Sequence, residues 1–411
     1  MTNIKYLTCV KCKKQYEASP DRTTCSCGGV LEVVYDYDYI SSKVDKKYFE
    51  TCKDYTMWRY KYFLPINQED SENSNIQVGY TPLYNSNKLA KKLGIKELYI
   101  KDDGRNPTAS LKDRASAIGV YKAKENKKEV ICCSSTGNAA SSLAGNAAAE
   151  GLKSVIFVPK RAPLGKIAQL LVFGAKVFSV DGCYEDAFEM SQMIIDKYGF
   201  YNRNAAINPY LMEGKKTVSL EIAEQLNWNV TDYVAVSVGD GCTIAGVWKG
   251  FKELHEIGFI NKVPQLISVQ AYGCSPISDT YNKLNDITED ESLTIADSIA
   301  VGQPKNMTKA IWALQESNAV TVEVSNQEIY EAIYMLGSEC GVFAEPSSAV
   351  TLAGIKKLAC EGKIDTEKSI TMIVTGNGLK DIQAVTDSNI RSTIKVSKDE
   401  NISSFDKLLK F

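Results

Sequence analysis

Histidine is almost missing from this 411-residue chain, which holds only His255. Mechanisms built on a Ser-His-Asp triad, a Cys-His pair or several imidazole metal ligands are therefore nearly excluded. His255 lies in WKGFKELHEIGF, whose apolar spacing suits an amphipathic helix, and is expected at a partly exposed position without chemistry. No apolar run approaches the ~20 residues of a membrane helix. The start, MTNIKYLTCVKCKK, has no apolar centre of the signal-peptide kind. Neither charge sign dominates: 48 Lys and Arg face 50 Asp and Glu, for a formal net charge of −2. That balance leaves no electrostatic footprint for nucleic acid or an anionic membrane. Low-complexity segments and solenoid-length repeats are missing too. A cytoplasmic protein with small-molecule partners is the expectation.

What is present is an ordinary globular composition, 44% hydrophobic and 24% charged, which rules out a disordered or collagenous chain. The length predicts two or three domains with ample core. Twelve cysteines are spread along the chain, and most are expected to be reduced and buried. Cys9, Cys12, Cys25 and Cys27 form the exception, as CVKC and CSC pairs separated by a short loop. Two tight turns that gather four thiolates resemble a zinc ribbon. Such a site is structural, because four protein ligands leave no open coordination position. With one residue between the second pair, a ribbon that has lost its metal is the alternative.

Residues 1–36 form this unit and end in the strand-like VLEVVYDYDY, and 37–110 hold a tyrosine-rich connection and the start of a large domain. From LYIKDD onward, short β-branched or apolar runs alternate with longer amphipathic ones: EVICCSS, KSVIFVP, AKVFSVD, YVAVSVG, PQLISVQA, AVTVEV and SITMIVTG, each set off by a helical stretch. Runs apolar on both faces and separated by helices are what parallel strands look like. The expected fold is α/β, with two open, twisted, mainly parallel sheets and flanking helices. A small domain is expected over 111–205 and a large ligand-binding one over 206–411. Ligands in such folds collect beyond the carboxyl ends of the strands.

Four segments at such positions carry chemistry. VSVGDGCTIAG (236–246) places Gly239, Gly241 and Gly246 between a strand and a helix, where backbone N–H groups favour a phosphate. It is neither a dinucleotide fingerprint, since Ile244 occupies the last glycine place, nor a Walker loop. SSTGNAA (134–140) sets Ser135, Thr136, Gly137 and Asn138 at another helix start, suited to a carboxylate; as a plain N-cap it would need the same residues. NPTASLKDRAS (106–116) puts Lys112 just after a helix start at Ser110. Lys-Asp-Arg on a surface helix is ordinarily solvated, but an amine near a phosphate cup and a carboxylate loop can form a Schiff base with an aldehyde. VTGNGLKD (374–381) brings the Thr375 hydroxyl, Gly376 and Gly378 to the same sheet edge.

Taken in order, NPTASLKDR, SSTGNAA, VGDGCTIAG, GVFAEPSSA and VTGNGLKD resemble the pyridoxal-phosphate enzymes of the tryptophan synthase β fold (fold type II), and within them the threonine synthase-like group. The resemblance covers roughly residues 79–385. It implies that Lys112 forms the Schiff base with pyridoxal phosphate and later moves protons between substrate carbons. Asn138 would bond the cofactor 3′ oxygen, and Thr375 would face the pyridine nitrogen. Gly239, Asp240, Gly241, Cys242 and Thr243 would wrap the phosphate. Ser135, Thr136 and Gly137 would receive the substrate α-carboxylate, and Glu345 would fall in a family motif of structural role. The implied reaction converts O-phospho-L-homoserine and water to L-threonine and phosphate, in a homodimer.

One departure bears on the substrate. Threonine synthases of this kind commonly carry an arginine after Asn-Pro, before EGxKT, to hold the substrate phosphate. AAINPYLMEGKKT (205–217) has Leu211 there and Ala206 where a hydroxyl often stands. Lys160, Arg161 and Lys166 are the candidate replacements, since a phosphate dianion needs donors or cations. Competing readings on the same scaffold are a threonine or serine dehydratase and cysteate synthase. A non-catalytic metal- or ligand-binding protein is the rival from another class.

Overall fold

A computed structural model describes residues 3–67, 74–135, 137–160, 164–204, 207–388, 390, 394, 396, 398 and 405, without the side chains of 164–166 and 184. Thr136, Ala206, Arg161 and the Lys166 side chain thus lie outside the described residues.

Three antiparallel strands, β1 (Ile4–Cys9), β2 (Gln15–Tyr16) and β3 (Leu31–Tyr35), make the N-terminal unit in the order β2-β1-β3. The strand-like VLEVVYDYDY stops at Tyr35, because the Asp36 carboxylate accepts the Tyr39 N–H at 2.9 Å and caps a helix, Tyr37–Lys43.

Beyond it stand β4 (Leu83–Asn85), β5 (Glu97–Asp102), β6 (Val130–Ser134), β7 (Lys153–Pro159), β8 (Lys176–Val180), β9 (Tyr201–Asn202), β10 (Tyr233–Ser237), β11 (Gln265–Ala271), β12 (Val320–Val324) and β13 (Ser369–Val374). They form two sheets, as expected. The larger has the order β12-β11-β10-β13-β5-β4, parallel except for β4 at its edge, and the smaller is the fully parallel β8-β7-β6-β9. Every residue of β10 is buried, which is why its run reads as continuously apolar. Each apolar run named from the sequence is a strand; the two- and three-residue β9 and β4 are too short to show a period.

The large sheet reverses direction at one place. From β10 the chain moves outward to β11 and β12, then returns to lay β13 between β10 and β5. Loops leaving β10, β13 and β5 therefore emerge side by side at a switch point, the natural crevice of an open α/β sheet.

The helix after β5 begins at Lys112, not Ser110, with Leu111 at the cap position. Ser110 is held instead in a bridge to Gly376, and Leu111 N–H donates to Thr375 O at 2.8 Å. The neighbours of Lys112 are not solvated. Asp113 accepts both the N–H and the hydroxyl of Thr108 at 2.8 Å, and the Asn146 amide at 2.8 Å. Arg114, fully buried, pairs with Asp103 at 2.6 Å and with Glu221 at 2.5 Å, and Glu221 also meets Lys101 at 2.7 Å. Long-range packing overrides the local signal here: the charges neutralise one another and tie the loop before Lys112 to the sheet and to the helix Tyr210–Gln225.

That helix is nearly all buried and is clasped on two sides through glycines. A Cβ on Gly214 would lie 2.0 Å from Arg114 O, and one on Gly250 would lie 2.7 Å from Lys216 O. Only glycine allows the helices Lys112–Glu125 and Cys242–Glu256 to approach it so closely. His255 is exposed on the last of these helices, as expected.

Removing one partner of a buried pair strands the other charge. Arg114→Met is expected to lower the unfolding free energy by about 3–5 kcal/mol, read from urea denaturation.

Candidate active site

A cavity of about 110 Å³ opens at the switch point. Lys112, Asn138, the run Gly239–Thr243, Glu345 and Thr375 all line it, although they come from five separate segments. Ser135 and Gly137 do not; they immediately precede Asn138, are half-buried, and the Ser135 hydroxyl accepts the Gly137 N–H at 3.2 Å. A larger cavity of about 280 Å³, bordered by Trp58, Tyr121 and Glu150, contains none of these groups, and its Lys124 is already paired with Glu150 at 2.8 Å. The chemistry therefore belongs to the smaller cavity.

The glycine run meets the start of the helix Cys242–Glu256, whose cap residue Gly241 has φ +87°. A Cβ there would press on the Ala310 side chain at 2.8 Å, and one on Gly239 would lie 2.8 Å from Ile299 Cα. Bare backbone is thus enforced at the helix start that lines the cavity. Asp240 is committed to scaffolding: its carboxylate accepts the Lys305 N–H at 2.7 Å and the Cys242 thiol at 3.0 Å. Burial pushes that thiol up to about 11, so it remains a neutral donor.

Thr375 shares its hydroxyl with Ser348 at 2.9 Å and Ser237 at 3.5 Å. Asn138 donates through Nδ2 to Glu345 Oε1 at 2.8 Å. Glu345 stands at the first position before the helix Pro346–Cys360, and its buried carboxylate fixes the amide that the sequence placed in the site.

Arg203 and Lys215 also line the cavity, and sequence reasoning missed both. Arg203 follows the two-residue β9 and donates to the Ser116 hydroxyl through Nε (3.1 Å) and Nη2 (3.0 Å). Lys215 sits in EGKKT, and the only available signal was a pair of lysines in an otherwise buried helix. Leu211 does not line the cavity; its Cδ2 would lie 2.9 Å from a Cβ on Gly119, so it packs against the lysine helix. Lys160 is exposed and paired with Asp181 at 2.9 Å, away from these residues. Lys160 lines neither of the two cavities.

Burial, then the Lys215 charge, with Arg203 adding to it and Glu345 opposing, brings the Lys112 amine down to about 8. A neutral amine, the nucleophilic form, is then available near neutral pH.

The four cysteines converge as expected. Their sulfurs all lie within 4.8 Å of one another, with Cys9–Cys27 at 3.6 Å and Cys12–Cys25 at 3.5 Å. Zn–S bonds of about 2.3 Å put tetrahedral sulfurs about 3.8 Å apart, so the cluster fits zinc. A Cβ on Gly29 would stand 2.7 Å from Cys9 Sγ, which keeps that corner bare.

A family model described as pyridoxal-phosphate dependent enzyme matches residues 75–376. Threonine synthase of Methanocaldococcus jannaschii is 42% identical over 397 residues, 96% of this chain and 97% of the relative. Threonine synthase of Methanosarcina acetivorans is 38% identical over 387 residues, 93% and 94% of the two chains. Among solved structures, processed threonine deaminase isoform 2 from Solanum lycopersicum aligns with TM-score 0.64 at 24% identity, over 75% of this chain and 88% of that one. Diaminopropionate ammonia lyase from Escherichia coli aligns with TM-score 0.66 at 17% identity, over 84% and 96%. These structural likenesses show the fold.

The cavity's donors fit a group that carries an aldehyde, a ring nitrogen and a phosphate. The amine of Lys112, the hydroxyl of Thr375 and the glycine-lined helix start offer one partner to each.

Reductive methylation of Lys112 by formaldehyde and cyanoborohydride, followed by peptide mass spectrometry, is expected to accelerate as pH rises through about 8 and to level off above it. Lys215→Gln removes a like charge and should move that midpoint upward. Purified protein should contain about one zinc per chain by plasma mass spectrometry, and Cys12→Ser should lose it.

Proposed function

Because this chain belongs to the family of pyridoxal-phosphate dependent enzymes, we propose that it acts as a threonine synthase, converting O-phospho-L-homoserine and water to L-threonine and inorganic phosphate. The observation that carries this reading is a lysine amine at a glycine-lined cavity, in a chain 42% identical to a threonine synthase over almost its full length.

When bound, pyridoxal phosphate supplies an electron sink for the charge left on a substrate carbon that loses a proton. In this reading Lys112 anchors the aldehyde and, once released, gives and takes protons at Nζ; an amine titrating near 8 suits both directions. Gly239, Asp240, Gly241, Cys242 and Thr243 hold the cofactor phosphate, mostly through N–H groups at a helix start. Thr375 gives the ring nitrogen a hydroxyl, which does not keep a proton there as a carboxylate would. Asn138 serves the 3′ oxygen while Glu345 steadies its amide. Ser135, Thr136 and Gly137 take the substrate α-carboxylate. A homodimer in a reducing cytoplasm belongs to the same reading, and none of the twelve cysteines is paired in a disulfide.

Steady-state assays with O-phosphohomoserine, threonine, serine and O-phosphoserine test the proposal. Equal release of threonine and phosphate from the first substrate is expected. Phosphate without threonine, or turnover of serine or threonine alone, would reject it in favour of an eliminating or replacing relative. Lys112→Ala should abolish turnover and the visible cofactor band while leaving the fold intact.

A further inference from the structure

Buried lysines in this protein have partners. Lys101 meets Glu221 at 2.7 Å, and Lys216 meets Glu213 and Glu253 at 2.8 and 2.7 Å. Lys215, beside Lys216 and only 3% exposed, has no carboxylate at salt-bridge distance and no hydrogen-bond acceptor among the described residues. An ammonium taken out of water needs an anion or acceptors to remain charged. Because Lys215 lines the cavity, a ligand entering it is the natural source of that anion.

One anion already has a place. The glycine-lined helix start belongs to the large sheet and presents backbone N–H groups to a phosphate. Arg203 stands beside the other sheet: its N–H donates to Cys132 O of β6 at 2.9 Å, and β6 ends one residue before Ser135. Lys215 comes from the helix between, and position 211, one turn earlier, contributes only a leucine packed on Gly119.

We propose that Lys215 and Arg203 form a second anion seat, beside the glycine cup in the same cavity, that receives the phosphate monoester of the amino-acid substrate. This deepens the threonine synthase reading and rests on it for the identity of the ester. A compact ammonium and a forked guanidinium give a phosphate dianion charge-assisted hydrogen bonds from two directions.

The test uses holoenzyme and two unreacting probes, 2-amino-5-phosphonopentanoate and norvaline, which differ in the terminal phosphonate. Dissociation constants are read from the cofactor absorbance band. Wild type should prefer the phosphonate at least about tenfold. Lys215→Gln should weaken phosphonate binding about 10- to 100-fold, change the norvaline and cofactor dissociation constants far less, and be rescued by Lys215→Arg. A weakened cofactor constant with phosphonate preference retained would assign Lys215 to the cofactor phosphate and overturn the seat. Equal affinities across wild type and variants would overturn it as well. If Lys215→Gln does not fold, wild type alone decides, since no preference for the phosphonate ends the proposal. Lys215-dependent phosphonate binding without threonine formation would uphold the seat and reject the reaction; threonine formation without that dependence would do the reverse.

Discussion

Three cations, Lys112, Arg203 and Lys215, border one cavity of about 110 Å³, and the site is arranged around their mutual repulsion. Two of them are almost wholly removed from solvent. Like charges in a poorly solvated space favour the neutral form of whichever group can release a proton. Arginine cannot, so the effect is felt at a lysine amine, which is the group that must be neutral to attack a carbonyl. Glu345, which also lines the cavity, opposes that repulsion.

Holding such a cluster together requires a rigid frame, and two devices supply it. Arg114, Asp103, Glu221 and Lys101 form a fully buried ionic network directly behind Lys112, so the residue next but one to the amine is anchored to the sheet. Gly214 and Gly250 let three helices approach to backbone contact, which fixes Lys215 between the lysine helix and the helix that starts at the glycine cup. Neither device touches the chemistry. Each sets where a charge stands to within the tolerance that catalysis needs.

The cysteine unit is part of this frame as well. Glu32 of β3 meets Lys249 and Lys309 at 2.6 Å, and Lys249 continues to Glu213 at 2.6 Å, two residues from Lys215. Lys13 lies 4.3 Å above the Trp312 ring. A metal bound by the ribbon would thereby also order one end of the helix that carries a cavity cation, giving the N-terminal unit a structural reason to be there.

Much of the architecture was legible beforehand. Continuous apolar runs such as YVAVS, set between helical stretches, read as strands covered on both faces, and that pattern pointed to parallel sheets with their ligand edge at the strand ends. Cysteine spacing pointed to a four-sulfur cluster, and the glycines near 240 pointed to bare backbone at a helix start. All of these are local constraints of sterics and periodicity. The fate of charged residues was not legible, because it depends on what packs against them from far along the chain. Lys215 and Lys216 are neighbours on one helix, yet one is neutralised by two glutamates and the other is left facing the cavity. Asp113 and Arg114 read as solvated and are buried anchors. Sequence by itself determined the sheets, the sulfur cluster and the loops that meet at Lys112; only the tertiary structure decided which cations border the cavity, since solvation is a property of the assembled neighbourhood.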